Sequence, residues 1–146
     1  MHYAIRKATN DDTNWLDDLR RQAYLNLFIE TWGAWDEDRH TRHFAGFLQQ
    51  GSISIIEVDL KSAGMIQVFE TESEIELSEI QILPSHQSKG LGTAIIKDLV
   101  QKASSANKRI LLSLGLKNTG AFALYSRLGF IEYDRSESHI YMKMDS

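Results

Sequence analysis

Apolar residues along this chain alternate with period two in some stretches and recur at helical spacing in others. Each change is marked by glycine, proline or short polar residues. Residues 3–8 have strand character. Thr9-Asn10-Asp11-Asp12 offers capping side chains, and Trp15, Leu16, Leu19, Ala23 and Leu27 then share one face of a helix that breaks at Gly33. A second helix over 36–49 presents Phe44, Phe47 and Leu48 and ends at Gly51. Residues 53–58 and 64–70 read as hairpin arms around Asp59-Leu60-Lys61-Ser62, and Thr71-Glu72-Ser73 turns into a fourth strand over 74–83. A helix over 93–103, a strand over 109–114 and a helix over 118–128 stopped by Gly129 follow. The last elements are a hairpin of 130–133 and 139–144.

The expected order is β-α-α-β-β-β-α-β-α-β-β. Strands two to four, joined by short turns, run antiparallel, and the helix between strands four and five forces a parallel crossover. The fold class is therefore mixed α+β: a mostly antiparallel seven-stranded sheet flanked by four helices. At 146 residues the chain suits one domain, 1–146, with one core.

The stretch Gln87-Ser88-Lys89-Gly90-Leu91-Gly92-Thr93 lies between the fourth strand and its helix. Two glycines one residue apart allow close approach of backbone. A helix starting there directs free N–H groups and a positive dipole end at one spot, which suits phosphate. A P-loop requires lysine after its last glycine, but Thr93-Ala94 follows Gly92. The dinucleotide fingerprint requires a small residue where Ile95 stands. The spacing Gln87-x-x-Gly90-x-Gly92, led in by Ile82-Leu83-Pro84, resembles the pyrophosphate loop of the GCN5-related N-acetyltransferase (GNAT) superfamily. Asn118-x-x-Ala121-x-x-x-Tyr125-x-x-x-Gly129-Phe130 resembles that superfamily's second cofactor segment at all five positions, and the element order is that of its fold.

The resemblance implies acetyl transfer from acetyl-CoA, as co-substrate, to a primary amine. It implies that Gln87 and the amides of Ser88, Lys89, Gly90, Leu91, Gly92 and Thr93 hold the pyrophosphate. Strand four, splayed at a bulge, would offer backbone at Ile80, Ile82 and Leu83 to pantetheine and the thioester oxygen. Asn118 and Ala121 would border the cofactor, and Tyr125 would protonate the leaving thiolate. A lysine-type amine, with a pKa of about 10.4, needs a base at neutral pH. Glu79 and Glu76 on strand four compete for that role, their odd separation placing them on opposite faces of a regular strand. Glu79, which shares its face with Ile75, Leu77 and Leu83, is favoured. Glu30, Trp32 and Trp35 join the first two helices and, in this fold, border the acceptor pocket. Acid and indole suit a cationic amine.

Composition narrows this further. With no cysteine, a cysteine acyl-enzyme is excluded and direct attack in a ternary complex is favoured. A net charge of −4 gives no overall footprint for nucleic acid. No apolar run reaches the length of a membrane span, and the N-terminal residues lack a signal segment, so a cytoplasmic protein is expected. His40 and His43 are three apart on a helix, yet no other ligand cluster supports a metal site, so both are expected at the surface and no metal is expected. The acceptor is a small-molecule or peptide amine, and the protein a monomer or homodimer. Two alternatives stand beside the enzyme: a GNAT-fold protein that binds acyl-CoA without turnover, and a nucleotide-binding module unrelated to CoA.

Overall fold

The computed structural model describes residues 2–145, apart from the side chains of Leu27 and Thr31; Leu27, expected on the first helix's buried face, thus lies outside the described residues. The elements follow the expected order: β1 (Ala4–Lys7), α1 (Thr13–Trp32), α2 (Glu37–Gln50), β2 (Ile53–Val58), β3 (Lys61–Glu70), β4 (Glu74–Ile82), α3 (Leu91–Ser105), β5 (Arg109–Gly115), α4 (Thr119–Leu128), β6 (Ile131–Arg135) and β7 (His139–Met144). The seven strands form one sheet in the order β1-β2-β3-β4-β5-β7-β6. β4 and β5 are parallel, as a helical crossover requires, while β1–β2, β2–β3, β5–β7 and β6–β7 are antiparallel. Among the described residues no helix is long and apolar enough to cross a membrane.

The chain packs as two compact units. One comprises residues 2–67 and 79–89. Its core joins Leu16 and Leu19 of α1, Phe47 of α2, Ile53 and Ile55 of β2 and Met65 of β3. α1 ends where Gly33, at φ 80°, donates its N–H to Ile29 O at 2.8 Å. The expected buried face of α1 is shifted. Ala23 is exposed, while Arg20 and Phe28 are buried and Tyr24 half-buried, because the i, i+4 row through Leu16 carries inward those three residues instead. On α2 the inward row is His40, Phe44 and Phe47, and Leu48 is 36% exposed. His40 is thus not at the surface. It lies buried with Nε2 2.5 Å from Asp17 Oδ1 and its ring between Trp35 and Phe44. The β2–β3 hairpin is tighter than expected, since pairing continues to Val58↔Lys61. That leaves a two-residue turn with positive φ at both Asp59 (52°) and Leu60 (66°), the conformation that matches strand twist.

The other unit comprises residues 68–78 and 90–145. Ile75 and Leu77 of β4 sit opposite Ile110 and Leu112 of β5, and all four are buried. Ile95 and Ile96 of α3, Leu114, Phe130, Ile140 and Met142 are buried as well. α3 begins at Leu91, two residues before the expected start.

Candidate active site

The glycine loop is shaped by backbone. Ser88 (φ 60°) and Gly90 (φ 84°) both take left-handed conformations, and such alternation turns successive N–H groups toward one concavity. Gly90 caps α3 with no side-chain hydrogen bond. The first intrahelical bond is Ala94 N–H to Gly90 O at 3.0 Å, so the amides of Leu91, Gly92 and Thr93 open the helix without partners from its own ladder. Gln87 Nε2 donates to Ile82 O at 2.7 Å and ties the loop to the end of β4. Lys89 is exposed, and the Leu91 side chain is buried, anchoring the helix start.

The parallel ladder between β4 and β5 stops at Leu77↔Leu112, although both strands continue. A cleft of about 110 Å³ lies alongside the end of this ladder, lined by the paired residues Glu76, Leu77, Leu111 and Leu112 and by Ser78, Ser113, Tyr133 and Tyr141. Glu76 is exposed and makes no hydrogen bond or ion pair among the described residues. Buried–exposed alternation along β4 holds through Leu77, and residues 78–82 are all half-buried.

α4 carries the second motif as its spacing requires. Asn118 Oδ1 accepts from Ala121 N–H at 3.1 Å, and Gly129 (φ 107°) closes the helix. Phe130 N–H donates to Tyr125 O at 3.0 Å. Tyr125 and Ala121 are half-buried, and burial pushes the Tyr125 phenol above its ordinary pKa, so it is protonated at neutral pH.

Within the first unit, the remaining residues have definite partners. Glu79 is ion-paired with Arg20, which is only 5% exposed. The Arg20 guanidinium lies 4.1 Å from the Phe47 ring centre and 5.1 Å from that of Tyr24. Sequence reasoning missed Arg20, since its partner is 59 residues away. Leu83 N–H donates to Ala63 O at 2.8 Å, and Leu83 O accepts from His86 N–H at 2.9 Å. A Cβ at Gly64 of β3 would lie 2.4 Å from Gln81 O, so only glycine lets that backbone approach. Trp35 stacks on Phe28 with centroids 4.9 Å apart and donates its indole N–H to Glu37 at 2.8 Å. The Trp32 ring is covered by the Arg39 guanidinium at 4.0 Å. Glu30 is exposed. Among the described residues there is no group of three or more His, Asp or Glu side chains that could hold a metal ion.

Residues 49–139 match the family model for FR47-like proteins. An uncharacterized N-acetyltransferase of Methanocaldococcus jannaschii is 28% identical over 89% of this chain, which spans 61% of that relative's length. The fold is shared with a crystal structure of an acetyltransferase from Thermus thermophilus, at TM-score 0.77 and 14% identity, covering 100% of this chain and 98% of that one. It is shared too with the PaiA N-acetyltransferase of Thermoplasma acidophilum in complex with coenzyme A, at TM-score 0.72 and 16% identity, each chain being covered completely.

Proposed function

Because the chain belongs to the FR47-like family, within the GCN5-related N-acetyltransferase superfamily, we propose that it transfers an acetyl group from acetyl-CoA to a primary amine in a ternary complex. The observation that carries this is the β4–β5 ladder that ends at Leu77↔Leu112, with a cleft alongside its end beside Glu76. The chain itself runs from the end of β4 into an uncapped helix start.

In this reaction the pyrophosphate lies against the amides of residues 88–93, with Lys89 adding charge. Asn118 and Ala121 border the pantetheine arm. Backbone of Ile80 and Ile82 faces the thioester, where one N–H aimed at the developing oxyanion is worth about 2.7–4 kcal/mol. The neutral amine nitrogen attacks the carbonyl carbon, forming the C–N bond as the C–S bond breaks. The nitrogen's extra proton passes to Glu76, directly or through water. Glu79 is the other candidate on β4, but its carboxylate is held by Arg20. Tyr125 delivers a hydrogen bond, then a proton, to the departing sulfur. A phenol raised by burial is a weak acid but a reliably protonated donor. No cysteine exists to form an acyl-enzyme.

The test is thiol release from acetyl-CoA across an amine panel. Release that depends on added amine, with matching N-acetylated product, is expected. Saturable acetyl-CoA binding with no amine-dependent release would instead indicate a non-catalytic acyl-CoA-binding protein.

A further inference from the structure

A helix that packs a core with one face is expected to be polar on the other. α1 obeys this only over its first half. At 3.6 residues per turn, the row directly opposite its buried residues Leu16 and Arg20 is Asp18, Gln22, Leu25, Ile29 and Trp32, all exposed. The steps along it are four, three, four and three residues, the spacing of a seam between two helices. Leu25, Ile29 and Trp32 are 43%, 45% and 44% exposed. Single exposed apolar side chains are ordinary, but three in line on one helix form a patch. Charge bounds the row at both ends. At the Trp32 end lies Arg39, its guanidinium 4.0 Å from the ring centre. The Arg39 Nε has no hydrogen-bond partner among the described residues, and its ion pair with Asp36 is long, at 4.0 Å. At the other end lies Asp18, which makes no hydrogen bond or ion pair among the described residues. All of these residues belong to one compact unit.

We infer that this row of α1 is a self-association surface, and that its occupant is a second copy of this chain, packed antiparallel about a two-fold axis. The order acid, apolar strip, cation is self-complementary when reversed, which is what a two-fold interface requires. With the axis between Leu25 and Ile29, Leu25 of one copy meets Ile29 of the other, and Trp32 meets Gln22. At 1.5 Å per residue Asp18 lies about 13 Å from that axis. It therefore arrives just beyond Trp32 of the second copy, where Arg39 stands, and the contact occurs twice. A parallel pairing would set Asp18 against Asp18 and Arg39 against Arg39, and like charges oppose it. A single helix pair is smaller than the interface of a permanent dimer, so the association is reversible and set by concentration.

Sedimentation of the full chain from about 1 to about 300 μM reads its mass across the micromolar range. The parent protein should pass from monomer to dimer as concentration rises. Leu25→Lys and Ile29→Lys put charge at exposed positions, so each should keep its circular dichroism and its low-concentration Tm. Each should raise the Kd of the dimer at least about tenfold. Asp18→Arg and Arg39→Glu test the orientation. Either variant alone sets like charges against each other and should stay monomeric. Mixed in equal amounts, the two should form a heterodimer, because both contacts then join opposite charges again. A parent protein that is monomeric throughout would overturn the inference. So would a dimer indifferent to both lysine substitutions, or folded charge variants that do not pair when mixed. The first two measurements decide the matter even where Arg39→Glu fails to fold.

Discussion

At Arg20 a guanidinium sits between the rings of Phe47 and Tyr24, and its charge is met by Glu79. Removing one partner of such a buried pair strands the other charge, at a cost of about 3 kcal/mol or more. Glu79→Ala should therefore lower Tm markedly, and Glu79→Gln should do so to a smaller degree. Glu76→Gln removes a side chain with no such partner. It should leave Tm nearly unchanged and reduce kcat at neutral pH, with partial recovery at higher pH as more amine arrives neutral. A Glu79→Gln protein of normal Tm and crippled kcat, beside an active Glu76→Gln, would reverse these roles. Tyr125→Phe keeps the ring and should keep acetyl-CoA affinity while kcat falls on the order of 100-fold. Unchanged kcat with chemistry rate-limiting would exclude Tyr125 as the donor. Residues whose contacts are local were legible in the sequence: Asn118 caps the residue three positions on, and Gly33 and Gly129 stop their helices. Arg20 and His40 were not, because charge alone assigns both to solvent. Their burial depends on Glu79, 59 residues away, and Asp17, 23 residues away.

Among the elements, the loop into α3 makes the sharpest demand. Gly90 has φ 84°, and a Cβ there would meet nothing within 4 Å. Gly90→Val is thus strained only through its backbone, by roughly 1–2 kcal/mol, and should still fold. It should, however, lose the rise in Tm that acetyl-CoA gives the parent protein, about 2.7 kcal/mol of stabilisation at a hundredfold excess over Kd. An undiminished shift would remove the loop from the binding site. The element order and most boundaries were readable because each glycine stop and polar turn acts over a few residues. The cleft was not readable. Which side chains gather there depends on Leu77↔Leu112 being the last β4–β5 pair and on Tyr141 lying opposite both Ser113 and Asp134. No local pattern encodes that register.

For the molecule as a whole, acid is the natural stress. Arg6 clamps Asp12 through two hydrogen bonds of 2.8 and 2.9 Å, with Thr9 N–H adding a third, and holds its pKa down to about 2. Arg21 holds exposed Glu37 near 2 as well, and the Glu70 carboxyl is depressed by Lys108 and Lys102. A carboxyl with a lowered folded pKa stabilises fully above its unfolded value of about 3.9, and that contribution disappears as pH falls through the folded value. Stability should thus drop between about pH 4 and pH 2. Asp12→Asn should cost about 1–2 kcal/mol at pH 7, because Arg6 is partly exposed, and progressively less as pH falls through about 2. A loss that does not shrink between pH 7 and pH 2 would mean that the ionic contact contributes nothing. The division into two units also has an optical consequence. All three tryptophans, Trp15, Trp32 and Trp35, fall in the unit of residues 2–67 and 79–89, and the other unit has none. Indole emission therefore watches one half of the polypeptide, whereas amide circular dichroism watches all of it. Following both signals through a single urea titration measures, with no label introduced, whether the two halves melt as one.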